Sequence, residues 1–154
     1  MADVVDKATR SRMMSGIRSK DTKPEMLVRR ELHRRGFRFR LHGKKLPGSP
    51  DIVLPKWKTV VFVHGCYWHR HSGCKLAYPV KSNKEFWNSK FEANVRRDAN
   101  AYAALEEAGW GVIIVWECAT RSIDRSELGQ EISELIKGNM CFSEIGNTSS
   151  QSGE

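Results

Sequence analysis

The chain has 154 residues, enough for one domain with its own core, and 40% hydrophobic with 29% charged residues is the balance of a water-soluble globular protein. No apolar run is long enough to cross a bilayer, and the start, MADVVDKATRSR, lacks the apolar stretch of a secretory signal, so a cytoplasmic protein with no membrane span is expected. Lys and Arg number 26 against 18 Asp and Glu, giving +8, and the excess crowds into residues 7–40, where Asp21, Glu25 and Glu31 are the acids; a field of that sign attracts nucleic acid.

Residues 1–20 read as a basic arm that orders on DNA. Thr22-Lys23-Pro24-Glu25 has the pattern of a capping box and opens a helix from Lys23 to Arg35, with Gly36 as its stop and Val28 and Leu32 on its inner face. Phe37 to Leu41 alternates apolar and basic residues, the pattern of a half-buried strand. After the Leu46–Pro50 loop, Asp51–Leu54 and Thr59–His64 are two β-rich runs joined by a hairpin turn at Pro55–Lys58. Gly65 to Asn83 is irregular. Ser82-Asn83-Lys84-Glu85 repeats the capping-box pattern before a helix to about Ala108. Trp110–Trp116 is a strand apolar on both faces, and Asp124–Lys137 an amphipathic helix with Leu128, Ile132, Leu135 and Ile136 inward. Residues 143–154 are polar and read as a disordered tail. The domain therefore spans 21–142 as an α/β fold, a small mixed sheet flanked by helices.

The irregular stretch holds most of the chemistry. Cys66-Tyr67-Trp68-His69-Arg70-His71-Ser72-Gly73-Cys74 sets two cysteines and two histidines within nine residues, and Cys118 follows a buried strand that could return to the same place. Thiolates and imidazole around zinc would form a structural site, with spacing leaving either His69 or His71 as the fourth ligand. Cys141 reads as a lone apolar cysteine.

Asp51 at one strand start and Val63-His64 at the next strand end can share one mouth of a hairpin. A carboxylate with a backbone carbonyl suits Mg²⁺, and His64 or His69 could serve as base for an attacking water. On the second long helix Asp98 falls inside the stripe Phe91, Val95, Tyr102, Leu105. A carboxylate on such a face needs a partner, either a histidine or an arginine such as Arg96 or Arg97. Glu25 could approach the same metal through water, although the capping box already explains it.

Together these stretches resemble the very-short-patch repair (Vsr) endonucleases. The similarity is carried by Ala8-Thr9-Arg10-Ser11, Asp21-Thr22, Leu46-Pro47-Gly48 with Pro50-Asp51, Phe62-Val63-His64-Gly65-Cys66-Tyr67-Trp68-His69, Phe86-Trp87, Asn94-Val95, Arg97-Asp98 and Trp116-Glu117-Cys118. The resemblance implies a restriction-endonuclease-like fold and Mg²⁺-dependent nicking on the 5′ side of the thymine in a T:G mismatch left by deamination of 5-methylcytosine. It implies Mg²⁺ on Asp51 and the Val63 carbonyl, His69 as general base oriented by Asp98, and His64 on the scissile phosphate. Zinc falls to Cys66, His71, Cys74 and Cys118. Tyr67, Trp68 and Trp87 become an aromatic wedge, with Met14 inserting from the minor groove. A monomer acting on duplex DNA at the nucleoid, and a MutL-type repair factor as partner, complete what the resemblance implies. No Glu-x-Lys follows Asp51, which favours histidine chemistry over a two-carboxylate mechanism. A non-catalytic zinc-stabilised DNA-binding module, or an endonuclease indifferent to mismatches, would share the charge and the zinc.

Overall fold

A computed structural model describes residues 22–146. The arm at 1–20, with Met14, lies outside the described residues, as do residues 147–154 of the expected tail. The elements are α1 (Lys23–Arg34), β1 (Arg40–Leu41), β2 (Ile52–Leu54), β3 (Thr59–His64), α2 (Lys84–Glu107), β4 (Gly111–Trp116), α3 (Glu117–Ser122), α4 (Arg125–Lys137) and β5 (Phe142–Ile145). A single 3₁₀ turn at Pro55–Trp57 joins β2 to β3, with Lys58 taking the left-handed conformation the turn needs.

The five strands lie in sequence order. β1, β2 and β3 run antiparallel, whereas β3, β4 and β5 are parallel. Parallel neighbours need a crossover, which α2 supplies between β3 and β4 and α3 with α4 supply between β4 and β5. Side chains alternate across the sheet. Val61, Ile113 and Val115 face α1 and α4, joining Val28, Leu32, Leu128, Ile132 and Ile136 in one core. Val60, Phe62, Val112, Ile114 and Trp116 face the other way, with Leu105 of α2. His64 continues the parity of Phe62, so it points to the α2 face, and Asp51 shares the parity of Val53 on that face.

Several elements differ from the sequence expectation. The strand foreseen over residues 37–41 shrinks to Arg40–Leu41, because the Phe37 N–H bonds the Leu32 carbonyl and closes α1 around Gly36 at φ +87°. Phe37 is thereby a buried plug against Trp57. The second capping box does not form: Asn83 caps α2 in a left-handed conformation without a side-chain bond. Val95 is exposed, so the inner stripe of α2 runs through Phe91, Ala101 and Leu105, and Asp98 sits at its rim. The expected tail from residue 143 begins as β5, whose Val112–Phe142 to Val115–Ile145 pairing with β4 satisfies its backbone. Among the described residues no helix is long and apolar enough to cross a membrane.

Candidate active site and zinc centre

The carboxyl ends of β3 and β4 stand side by side, with His64 in register with Trp116. Open α/β sheets gather their chemistry at that edge. The β2–β3 pairing stops at Ile52–Val61, two residues before Val63, and Asp51 Oδ2 accepts the Val63 N–H at 2.7 Å. A strand residue projects its N–H and C=O to the same side, so the Val63 carbonyl also faces the Asp51 neighbourhood. Burial lifts the Asp51 carboxyl to about 6 against the opposing bond from Val63, and the nearby Glu25 charge adds to the lift.

Glu25 is the largest departure from expectation at this mouth. Thr22 Oγ1 does accept the Glu25 N–H at 3.3 Å, but the carboxylate does not reach back to complete a capping box. It is 2% exposed and pairs instead with Arg29 and with His42 Nε2 at 2.9 Å. Ligand atoms of Glu25, His42 and Asp51 all lie within 4.8 Å of one another. His42 was not foreseen. Its N–H bonds the Asp51 carbonyl at 2.9 Å, so the turn after β1 delivers it, and nothing in local spacing announces that.

A second triad follows immediately. His64 and His69 stack face to face, 3.7 Å between centroids and 11° between planes. His69 Nδ1 lies 2.7 Å from Asp98 Oδ2, which settles the choice of partner for Asp98 in favour of histidine over Arg96 or Arg97. This contact leaves Nε2 as the ring's other nitrogen, and His69 lines a cleft of about 470 Å³ together with Asp98, Tyr102, Trp116 and Glu144. His64 is buried, its Nε2 2.7 Å from the Tyr102 hydroxyl, and burial next to His69 holds it well below the ordinary histidine range, in the neutral form.

Behind this cleft, Cys66, His71, Cys74 and Cys118 converge, with their ligand atoms within 4.8 Å of one another. Cys66 lies just past β3 and Cys118 in the first turn of α3, so the group ties together the ends of the two central strands. The sulfurs of Cys66 and Cys118 stand 3.6 and 3.5 Å from His71 Nδ1. A tetrahedron with ordinary zinc–sulfur and zinc–nitrogen bonds has an edge of about 3.6 Å, so the donor set fits zinc. Burial drives the Cys66 thiol far upward and pulls His71 downward. A buried cation is what would allow the thiolates, and a neutral imidazole is the form that ligates. His71 also stacks on Trp116 at 4.2 Å, and a Cβ at Gly146 would come within 2.6 Å of its ring, so the end of β5 closes over the histidine.

Beside the cleft lies an aromatic cluster. Tyr67 meets Trp68, Tyr78 and Phe91 with centroids 5.0, 4.8 and 5.4 Å away, and Trp68 lies 6.1 Å from Trp87. Arg70, unnoticed in the sequence, braces it: its guanidinium lies 3.8 Å from the Phe91 ring centroid and donates to the Tyr78 carbonyl at 2.9 Å. Phe91 is buried and acts as the floor, whereas Tyr78 and Phe86 are more than half exposed.

The profile of DNA mismatch endonuclease Vsr matches residues 2–75. DNA mismatch endonuclease Vsr of Escherichia coli (strain K12) is 40% identical over 148 residues, covering 94% of each chain. The chain belongs to the Vsr DNA mismatch endonuclease family and is a DNA endonuclease. Relatives in this family include type II nicking enzyme V.XorIIP of Xanthomonas oryzae pv. oryzae, 49% identical over 77% of this chain and 86% of that protein. Type II nicking enzyme V.NmeAIP of Neisseria meningitidis serogroup A is 45% identical over 88% of this chain and 97% of that protein. Within the Vsr family setting, the two triads and the aromatic cluster stand at one end of the sheet, and the four-ligand group stands immediately behind them.

Proposed function

We propose that this endonuclease nicks one strand of duplex DNA on the 5′ side of the thymine in a T:G mismatch, on a restriction-endonuclease-like fold, as an early step of DNA repair. The observation that carries the proposal is the His69–Asp98 contact, which lies across the stacked His64 ring from the Asp51–Val63 mouth. Asp98 accepts the Nδ1 proton of His69, fixes the ring's tautomer and leaves Nε2 as acceptor for the proton of an attacking water. His64, neutral and held against His69, contacts a phosphate oxygen. Asp51 and the Val63 carbonyl would hold Mg²⁺, with Glu25 near enough to act through water; oxygen donors around a partly buried carboxylate fit a hard cation. The ion's contribution is positive charge at the phosphate as negative charge develops there.

Tyr67, Trp68 and Trp87 would enter the stack at the mispair, with Met14 from the arm. Unstacking costs a few kcal/mol and least where pairing is already poor, so such a wedge discriminates by deformability. Zinc on Cys66, His71, Cys74 and Cys118 is structural, since four protein ligands leave no open position. The proposal extends to monomeric action in the cytoplasm, at the nucleoid, and to passing the nick on to a MutL-type repair factor.

The test is single-turnover nicking of a T:G duplex with Mg²⁺. Asp51→Ala and His69→Ala should each slow it by about 100-fold or more while zinc content stays constant. Wild-type rates from both variants would overturn the mechanism.

A further inference from the structure

The Tyr102 hydroxyl lies 2.7 Å from His64 Nε2, and among the described residues no other hydrogen-bond partner reaches it. The ring of Tyr102 is held edge-on to Phe62 at 5.4 Å and lies 5.7 Å from Phe142 of β5, so the hydroxyl is delivered rather than free to swing. The His64 ring is fixed as well, stacked on His69 and packed within 5.5 Å of Phe62 and Trp116.

A neutral imidazole carries one N–H and one lone pair. With His64 Nε2 as its hydrogen-bond neighbour in the protein, the half-buried Tyr102 O–H is placed to donate to that nitrogen. Burial keeps Tyr102 in its phenol form, far from ionisation. His64 Nε2 is then the acceptor, and the ring's proton sits on Nδ1. His69 gives its Nδ1–H to Asp98 and keeps the Nε2 lone pair. The stacked rings then differ at their remaining nitrogens, a lone pair on His69 and an N–H on His64.

We infer that Tyr102 is a positioning residue that places the ring proton of His64 on Nδ1, so that His64 can give a hydrogen bond to a phosphate oxygen. This rests on the proposed role of His64 at the phosphate. Without the hydroxyl the proton is free to move to Nε2, the donor is lost from Nδ1, and the two stacked rings no longer divide base and donor between them.

Tyr102→Phe in zinc-loaded protein with ¹⁵N-labelled histidine tests this at mildly alkaline pH. Long-range proton–nitrogen correlation should show His64 protonated on Nδ1 in the wild type and shifted toward Nε2 in the variant. The variant's kcat should fall about tenfold, the equivalent of one hydrogen bond, with KM unchanged. In a His64→Ala background the same substitution should change kcat less than about twofold, because its effect passes through His64. A wild-type His64 protonated on Nε2, or an equal loss from Tyr102→Phe with and without His64, would overturn the inference. The nitrogen spectrum is read without DNA, so a failure to nick would count against the proposed function alone.

Discussion

Asp51 is strained electrostatically in the cation-free protein. Its carboxyl is raised from 3.8 to about 6, chiefly by burial. A raised acid contributes stability that is fully present below its unfolded value and lost as pH climbs through the folded value. Between about pH 4 and 6, ionisation of Asp51 should therefore erode stability, with about 2 kcal/mol as an order of magnitude. Asp51→Asn can still accept the Val63 N–H, and it removes the charge. Thermal unfolding without added divalent cation should find the variant more stable than wild type above pH 6 and equal to it near pH 4. Equal stability at both pH values would contradict the assignment. Affinity for a divalent cation should fall as pH drops below about 6, as the carboxylate that holds it takes up a proton. Titration calorimetry at two pH values checks this.

Asp98 gives a prediction of the same scale. Its contact with His69 fixes a tautomer, and Asp98→Asn should lower single-turnover nicking by about 100-fold at unchanged zinc content. A twofold loss would contradict a role for Asp98 in orienting His69.

At the scale of elements, the four-ligand group links β3, the loop after it and α3. His69 lies between Cys66 and His71, so the ring proposed as the base is positioned by the same loop that zinc would hold. Cys118→Ser should release zinc, lower the melting temperature by more than about 5 °C and abolish nicking together. Zinc analysis and calorimetry on one preparation measure all but the last. Deleting residues 142–154 removes β5 from β4 and uncovers His71, so it should also lower zinc retention.

These elements also show what the sequence could reveal. The strand ends that carry Asp51 and His64 were legible from hydrophobic periodicity, which is local, whereas the pairing of Asp98 with His69 was one of two partners the sequence left open. The four-ligand group was legible only in part. Spacing could not separate His69 from His71, because Cys118 arrives through the parallel register of β3 and β4, a pairing between residues far apart in sequence. For Glu25 only the capping-box explanation fails: Thr22 does cap the helix, which hid that the carboxylate turns inward toward His42. β5 was missed because Phe-Ser-Glu-Ile at an edge has one fully buried residue and so little apolar signal.

At the scale of the whole molecule, under the proposed function, the +8 charge and the aromatic cluster divide the work of recognition. Charge gives affinity for any duplex, so binding to a fully paired control should weaken steeply and linearly in log salt. Selectivity would come from the wedge. Trp68→Ala should therefore leave affinity for paired DNA nearly unchanged while reducing the preference for a mispair, as read by competition binding.

The central claim is that a mispaired thymine, at a site built around Asp51, His69 and Asp98, directs the cut. Single-turnover cleavage of end-labelled duplexes identical except for T:G against T:A, with Mg²⁺, measures it most directly. The expected result is one nick 5′ to the mispaired thymine, formed at least about 100-fold faster than any cut in the paired duplex. Equal rates on the two duplexes, or cutting at a position that does not follow the thymine, would contradict it.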